Sequence, residues 1–271
     1  MNFEHHIPNG ALSRYVESFI YFEDHVTTHL IDRFLPDGNV EVVFELFGKP
    51  QYIYDNETLS KIQKCESVWA SGVRTRPITI PSGSGSRMFV MIFKKGMAHP
   101  FFPFPMDEIR DRVVEADLIW PGAIGVLREK IADARNGIER FSLAEDFLLK
   151  LLGPRFEPRP FVEYGVSRII GDPTLTRLTE LAGEVGYSKK HFINVFKKDV
   201  GVSPKSYLRI MRFQKAVTEI EDRDLDWASI ALDCGYYDQA HFINDFKSFS
   251  GFTPVDYSRR KNGALNYVPV S

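Results

Sequence analysis

The 271-residue chain contains only two cysteines, Cys65 and Cys234. Two are too few for a disulfide framework or a cysteine-rich zinc site, and a reduced cytoplasmic setting is the expectation. No apolar run approaches the roughly eighteen residues needed to cross a bilayer, so no membrane partner is expected. The opening "MNFEHHIPNGALSRY" has no basic segment followed by an apolar one, so no secretory leader is expected either. An excess of charge is also missing: 34 lysines and arginines stand against 36 aspartates and glutamates, a net of −2. A nucleic-acid binder with this balance must work through a local patch rather than its average charge.

Marks of catalysis are equally scarce. No Ser/His/Asp or paired-carboxylate arrangement has usable spacing, so no catalytic residue or cofactor is assigned and the chain is not read as an enzyme. His5, His6, His25 and His29 lack helical i, i+4 spacing with an acid and have no cysteine partner. They read as surface or strand histidines rather than a metal site. "SGSGS" (82–86) lacks the Gly-Lys-[Ser/Thr] ending of a phosphate loop and reads as a hairpin turn. Nothing beside Cys65 marks it as a thiol of lowered pKa. Trp69 and Trp120 are candidate pocket walls, against the plainer reading as core aromatics.

What is present divides into two. Tyr15–Phe22, Val40–Leu46, Gln51–Tyr54 and Arg87–Phe93 are β-branched and aromatic-rich, and Pro36-Asp37-Gly38, 47–50 and 81–86 separate them as turns. A β-rich domain with a concave interior follows. From about Pro105 the period changes. Ile124, Leu127, Ile131 and Ala134, then Phe147, Leu148 and Leu151, fall at helical spacing on either side of Asn136-Gly137. This is a helical hairpin, and it is where a dimer contact is expected. "GPRFEPRP" (153–160) carries three prolines, which break helix and strand alike, and reads as a semi-rigid linker. The expected organisation is therefore a β-rich (α+β) domain with a helical hairpin over 1–152, a linker over 153–160, an all-α domain over 161–262 and a tail over 263–271.

The all-α part repeats itself. "AGEVGYSKKHFINVFKKDVGVSP" (182–204) returns as "ALDCGYYDQAHFINDFKSFSGFTP" (231–254). Ala182, Gly186 and Tyr187 precede their counterparts by 49 residues, whereas Phe192, Asn194, Phe196 and Pro204 precede theirs by 50. The second copy thus carries one extra residue just after the Gly-Tyr pair, in a turn, where an insertion costs least. Each copy reads as helix, tight turn, helix. Leu178, Leu181, Ala182 and Val185 form the first helix's apolar face, Gly186 ends it in a left-handed cap, and Ser188 caps the next.

At 100° per residue, Phe192, Val195 and Phe196 of the second helix face inward. Lys190, Asn194 and Lys197 face outward with Ile193 beside them, and Lys189 precedes them on the first turn. In the second copy Gln239, Ala240, Ile243, Asn244 and Lys247 occupy the equivalent places. Lysine neutralises phosphates, asparagine pairs bidentately with adenine, and small apolar groups touch thymine methyls. One such helix is ordinarily a solvated amphipathic helix; two in phase point to double-stranded DNA. From Asp172 to Lys261 fourteen basic residues face thirteen acidic ones, the acids gathering at 219–226 between the copies, where they can face away from DNA. Tyr207, Leu208, Met211 and Ile220 suit a long amphipathic helix fixing the pose of the two reading heads.

Residues 161–261 closely resemble the DNA-binding domain of the AraC/XylS family of bacterial transcriptional regulators. The likeness rests on "LAGEVGYSKKHFINVFKKDVGVSPKSYL", "RFQKA" and "IALDCGYYDQAHFINDFKSFSGFTPVDY". It implies seven helices, two helix-turn-helix units and promoter binding, with RNA polymerase as a partner at the promoter. The family often has arginine where Asn194 and Asn244 stand, a departure that bears on target sequence rather than fold. "FLPDGNVEVVFEL", "SGVRTRPITI" and "VMIFKKGMAHPFF" resemble a sensor-type domain found ahead of such DNA-binding domains. In the family this position commonly binds a small effector or forms a homodimer. Two other readings stand beside the regulator. A DNA-repair alkyltransferase carries a similar helical domain but needs an activated cysteine. A ligand-binding or protein-interaction module with a non-reading helical domain would explain the near-neutral charge.

Overall fold

The computed structural model describes residues 2–23, 26–153, 159–222 and 226–270, the Asp222 side chain aside. Most of the 153–160 linker and residues 223–225 of the acidic connection lie outside the described residues.

The N-terminal half is built on two antiparallel sheets. The first has the order β1 (Asn2–His6), β2 (Val16–Glu23), β9 (Arg87–Phe93), β4 (Val40–Glu45), β7 (Val68–Ser71), β10 (Val113–Glu115). The second runs β11 (Tyr267–Pro269), β3 (Ile31–Phe34), β8 (Ile78–Pro81), β5 (Gln51–Tyr54), β6 (Lys61–Cys65). In β4, Val42 pairs with Met91 of β9 and Ala70 of β7, a register that puts whole rows of side chains on one face. Period-two alternation then assigns the faces. Val40, Val42 and Phe44 of β4, with Phe89, Met91 and Phe93 of β9, are buried in the main core. Glu41, Val43, Met88, Val90 and Ile92 turn the other way, toward the second sheet.

The helical hairpin covers the first of these faces. α1 (Ala123–Asp133) presents Ile124, Leu127 and Ile131, and α2 (Gly137–Leu152) presents Phe141, Ala144 and Leu148. Phe141 stacks within 6.4 Å of Phe19 and 6.1 Å of Phe89. Asn136 starts α2 by accepting from the Glu139 backbone N–H at 3.0 Å. The apolar faces of the hairpin are thus used on the sheet.

Seven helices follow among the described residues: α3 (Pro160–Gly171), α4 (Leu178–Glu184), α5 (Lys189–Val200), α6 (Pro204–Asp222), α7 (Trp227–Asp233), α8 (Gln239–Ser250) and α9 (Pro254–Arg260). α6 buries Tyr207, Leu208, Met211, Phe213 and Ile220, as its long amphipathic pattern implied. The core runs unbroken from the first sheet through α1 and α2 into these helices.

The tail differs from the sequence expectation. Tyr267–Pro269 pairs with β3 in the N-terminal half, Val268 opposite Arg33, so the chain returns to its first half after the helices end. Three residues are too few for alternation to be visible in a sequence.

Candidate nucleic-acid interface and an internal cavity

The two helix-turn-helix units are built alike down to single hydrogen bonds. Val185 is the C-cap of α4 and Gly186 takes φ 71°; Cys234 is the C-cap of α7 and Gly235 takes φ 75°. Both glycines occupy the left-handed region, where a side chain is strained, so the turn fixes the residue type. The Ser188 hydroxyl then accepts from the His191 backbone N–H at 3.2 Å. The Asp238 carboxylate accepts from the His241 N–H at 2.7 Å in the same position of the second unit. Between Gly235 and that cap lies the extra residue, Tyr237, 87% exposed in the turn.

From those caps the helices run in phase. Phe192 and Phe196 of α5, and Phe242 and Phe246 of α8, are fully buried, each pair in ring contact. Asn194 and Asn244 each lie six residues after the cap, and both are exposed. Lys189, Lys190, Gln239, Ala240 and Lys247 are exposed too. Ile193 and Ile243 are half-buried, Ile243 against the core. His191 is exposed and stacks on Tyr187 at 5.0 Å, closing the first turn.

Lys197 is the exception. Its ammonium lies 2.9 Å from Asp107 of the N-terminal half. Helical angle alone put it on the outward face; it could not show that another part of the chain supplies a carboxylate there. Two further contacts hold α5 to its surroundings. Asp199, 6% exposed, pairs with His99 at 3.1 Å and with Arg159. Burial pushes its carboxyl above the usual range against the pull of those two partners. The second unit is anchored to α6 instead, where Arg209 pairs with the buried Asp245.

α6 also meets the N-terminal half directly. Gln214 donates to the Pro36 carbonyl at 2.7 Å. A Cβ on Gly38 would stand 2.7 Å from Met211 Cε, so the turn before β4 rests on the helix between the reading heads.

Between the two sheets lies a cavity of about 210 Å³. Trp69 lines it. Trp120 does not; it is buried in the core and donates its indole N–H to the Phe101 carbonyl at 3.0 Å. The wall is mostly apolar, and Glu41 is its one acidic residue among the described residues. Sequence reading did not single out Glu41 or Asp107. A lone acid at an inward position of the otherwise apolar β4 was the available signal for the first.

Cys65 also lines the cavity, and burial pushes its thiol up to about 12. That is the reverse of the activation an alkyltransferase cysteine requires. Two of the histidines weighed for a metal have other company. His6 bonds Glu145 at 2.9 Å and His29 bonds Asp32 at 2.8 Å, while His25 lies outside the described residues. "SGSGS" is the turn between β8 and β9. No helix is long and apolar enough to cross a membrane among the described residues.

Residues 181–260 match the helix-turn-helix domain family, and residues 4–115 match a domain of unknown function, DUF6597. The chain thus ends in an AraC-type helix-turn-helix domain. It is a DNA-binding transcriptional regulator with a β-rich N-terminal region. No curated sequence relative matches. Among solved structures, the C-terminal domain of AraT, a response regulator from Geobacillus stearothermophilus, aligns at 25% identity over 38% of this chain and 87% of its own, with a TM-score of 0.37. ToxT from Vibrio cholerae aligns at 13% identity over 96% of this chain and 98% of its own, with a TM-score of 0.46. A Chromobacterium violaceum transcriptional regulator described by its AraC-type DNA-binding domain aligns at 21% identity over 39% of this chain and 95% of its own, with a TM-score of 0.36.

Proposed function

We propose that α5 and α8 enter successive major grooves on one face of a promoter, and that occupancy of the inter-sheet cavity changes how they are presented. Asn194 and Asn244 read adenine edges, and Ile193, Ala240 and Ile243 touch thymine methyls. Lys189, Lys190, Lys197, Gln239 and Lys247 contact the phosphate backbone. The observation that carries this reading is the shared phase: cap, buried phenylalanines and exposed asparagine recur at the same offsets in both units.

The N-terminal half is the sensor in this reading. The Pro36–Asn39 turn leads straight into β4, whose Glu41 lines the cavity, while the turn itself rests on α6. A ligand that displaces β4 therefore pushes on the helix joining the two reading heads. The Lys197–Asp107 pair ties the first head to the same half.

Selection of binding sequences from a random duplex pool tests the DNA part. Two enriched half-motifs are expected. Asn194→Ala relaxes preference at one base pair, whereas Lys247→Ala weakens all sequences alike and flattens the salt slope by about one unit. Equal effects of the two substitutions on every sequence contradict the assignment.

A further inference from the structure

The cavity carries a chemical instruction in Glu41. Its neighbours on β4, Val40 and Val42, face the helices, so the alternation leaves the Glu41 side chain between the sheets. No hydrogen bond or ion pair engages its carboxyl among the described residues, and the half-buried side chain lines the cavity. Buried polar groups are ordinarily satisfied, and a buried charge is ordinarily paired.

The charged and titratable groups around it do not pair it. Asp37, in the turn before β4, and Glu17 of β2 raise its carboxyl, and burial raises it most, to about 8 in all. Arg74 pulls the other way, but its guanidinium is bonded to Ser71 Oγ at 3.3 Å and shared with the field of Asp111. Tyr52 of β5, Tyr267 of β11 and Cys65 of β6 also line it, and the Tyr267 phenol and the Cys65 thiol are both raised above their ordinary ranges. Glu41 is thus the one carboxylic acid in the lining among the described residues.

The remaining wall is aromatic. Phe22, Phe34, Tyr52, Trp69 and Tyr267 line the same space. Rings hold cations through their faces, and a carboxylate adds a full counter-charge. A cavity of about 150 Å³ accepts benzene. At about 210 Å³, this one has room for a ring and a few further heavy atoms.

We infer that the cavity binds a small apolar organic cation, an aromatic or branched-alkyl ammonium, with its charge seated at Glu41 among the aromatic rings. This rests on the reading of the cavity as the effector site. Near neutral pH, binding transfers the Glu41 proton to the buffer, leaving a carboxylate opposite the ammonium.

Calorimetric titration of the full chain tests it with three probes: benzyltrimethylammonium, its uncharged carbon isostere neopentylbenzene, and phenylacetate. A permanent cation keeps the ligand's own titration out of the result. We expect benzyltrimethylammonium to bind at least tenfold more tightly than neopentylbenzene at pH 7.5. It should release close to one proton per ligand at pH 6.5 and almost none at pH 9, measured at each pH by comparing two buffers that titrate there and differ in ionisation enthalpy. In Glu41→Gln the preference for the cation and the proton release should both vanish, while neopentylbenzene binds as before and so reports an intact cavity. Equal binding of cation and isostere to the wild-type chain without proton release overturns the inference and leaves the effector reading standing. Preferential binding of phenylacetate does the same. Failure of all three probes to bind overturns the effector reading together with the inference.

Discussion

Replacing Asp107 by asparagine should strengthen DNA binding, although Asp107 touches no DNA in the proposed arrangement. Its carboxylate holds the Lys197 ammonium at 2.9 Å, and Lys197 must leave it to reach a phosphate. The side chains are 23% and 45% exposed, so the pair is screened and belongs in the range of about 0.2–1 kcal/mol. At 1.36 kcal/mol per tenfold, releasing Lys197 tightens association by about 1.4- to 5-fold. Because Lys197 reaches a phosphate in both proteins, the fall of log K with log salt should keep its slope. The assay is fluorescence anisotropy on a duplex taken from the selection, titrated at several salt concentrations. In a double-mutant cycle, Lys197→Ala should abolish the gain from Asp107→Asn, because the two act through one contact. Unchanged or weaker binding by a correctly folded Asp107→Asn protein refutes the reasoning. So does a gain that persists without Lys197.

Removing the recognition-helix caps should cost stability in each unit. Ser188→Ala and Asp238→Ala each lose one cap bond, worth about 0.5–2 kcal/mol and read from urea midpoints; no shift in either would contradict the cap assignment. Glu41 gives a pH prediction of definite sign. The folded chain keeps its proton up to about pH 8, while the unfolded chain loses it near the ordinary 4.5, so this group's contribution declines as pH rises between those values. Wild-type stability relative to Glu41→Gln should therefore fall by at most about 1.4 kcal/mol per pH unit from pH 5.5 to 7.5, then level off above 8. Parallel stability curves for the two proteins would refute it.

How far the sequence could be read depended on the length over which a pattern repeats. The duplicated unit was legible residue by residue, because cap, phenylalanine and asparagine recur at fixed offsets and each has one physical job. The insertion at Tyr237 was placed correctly for the same reason: a turn absorbs a residue that a helix cannot. Strands β2, β4, β5 and β9 were legible from their aromatic and β-branched runs. Strands such as β6, with two lysines and a glutamine in five residues, and β11, three residues long, offer too little alternation to be seen. The side-chain surroundings of Lys197 and Glu41 were beyond reach for a different reason. Helical angle and strand parity give a direction from a local axis. They cannot say that Asp107 comes back to meet a lysine 90 residues later, or that a second sheet closes over one carboxyl.

Hydroxyl-radical footprinting of the full chain on a selected duplex tests the central claim most directly. Two recognition helices on one face should protect two windows about 10–10.5 base pairs apart, centre to centre, displaced toward the same side of the helix. Asn194→Ala and Asn244→Ala should each thin one window and leave the other. A single window, or two windows on opposite faces of the duplex, would contradict the account.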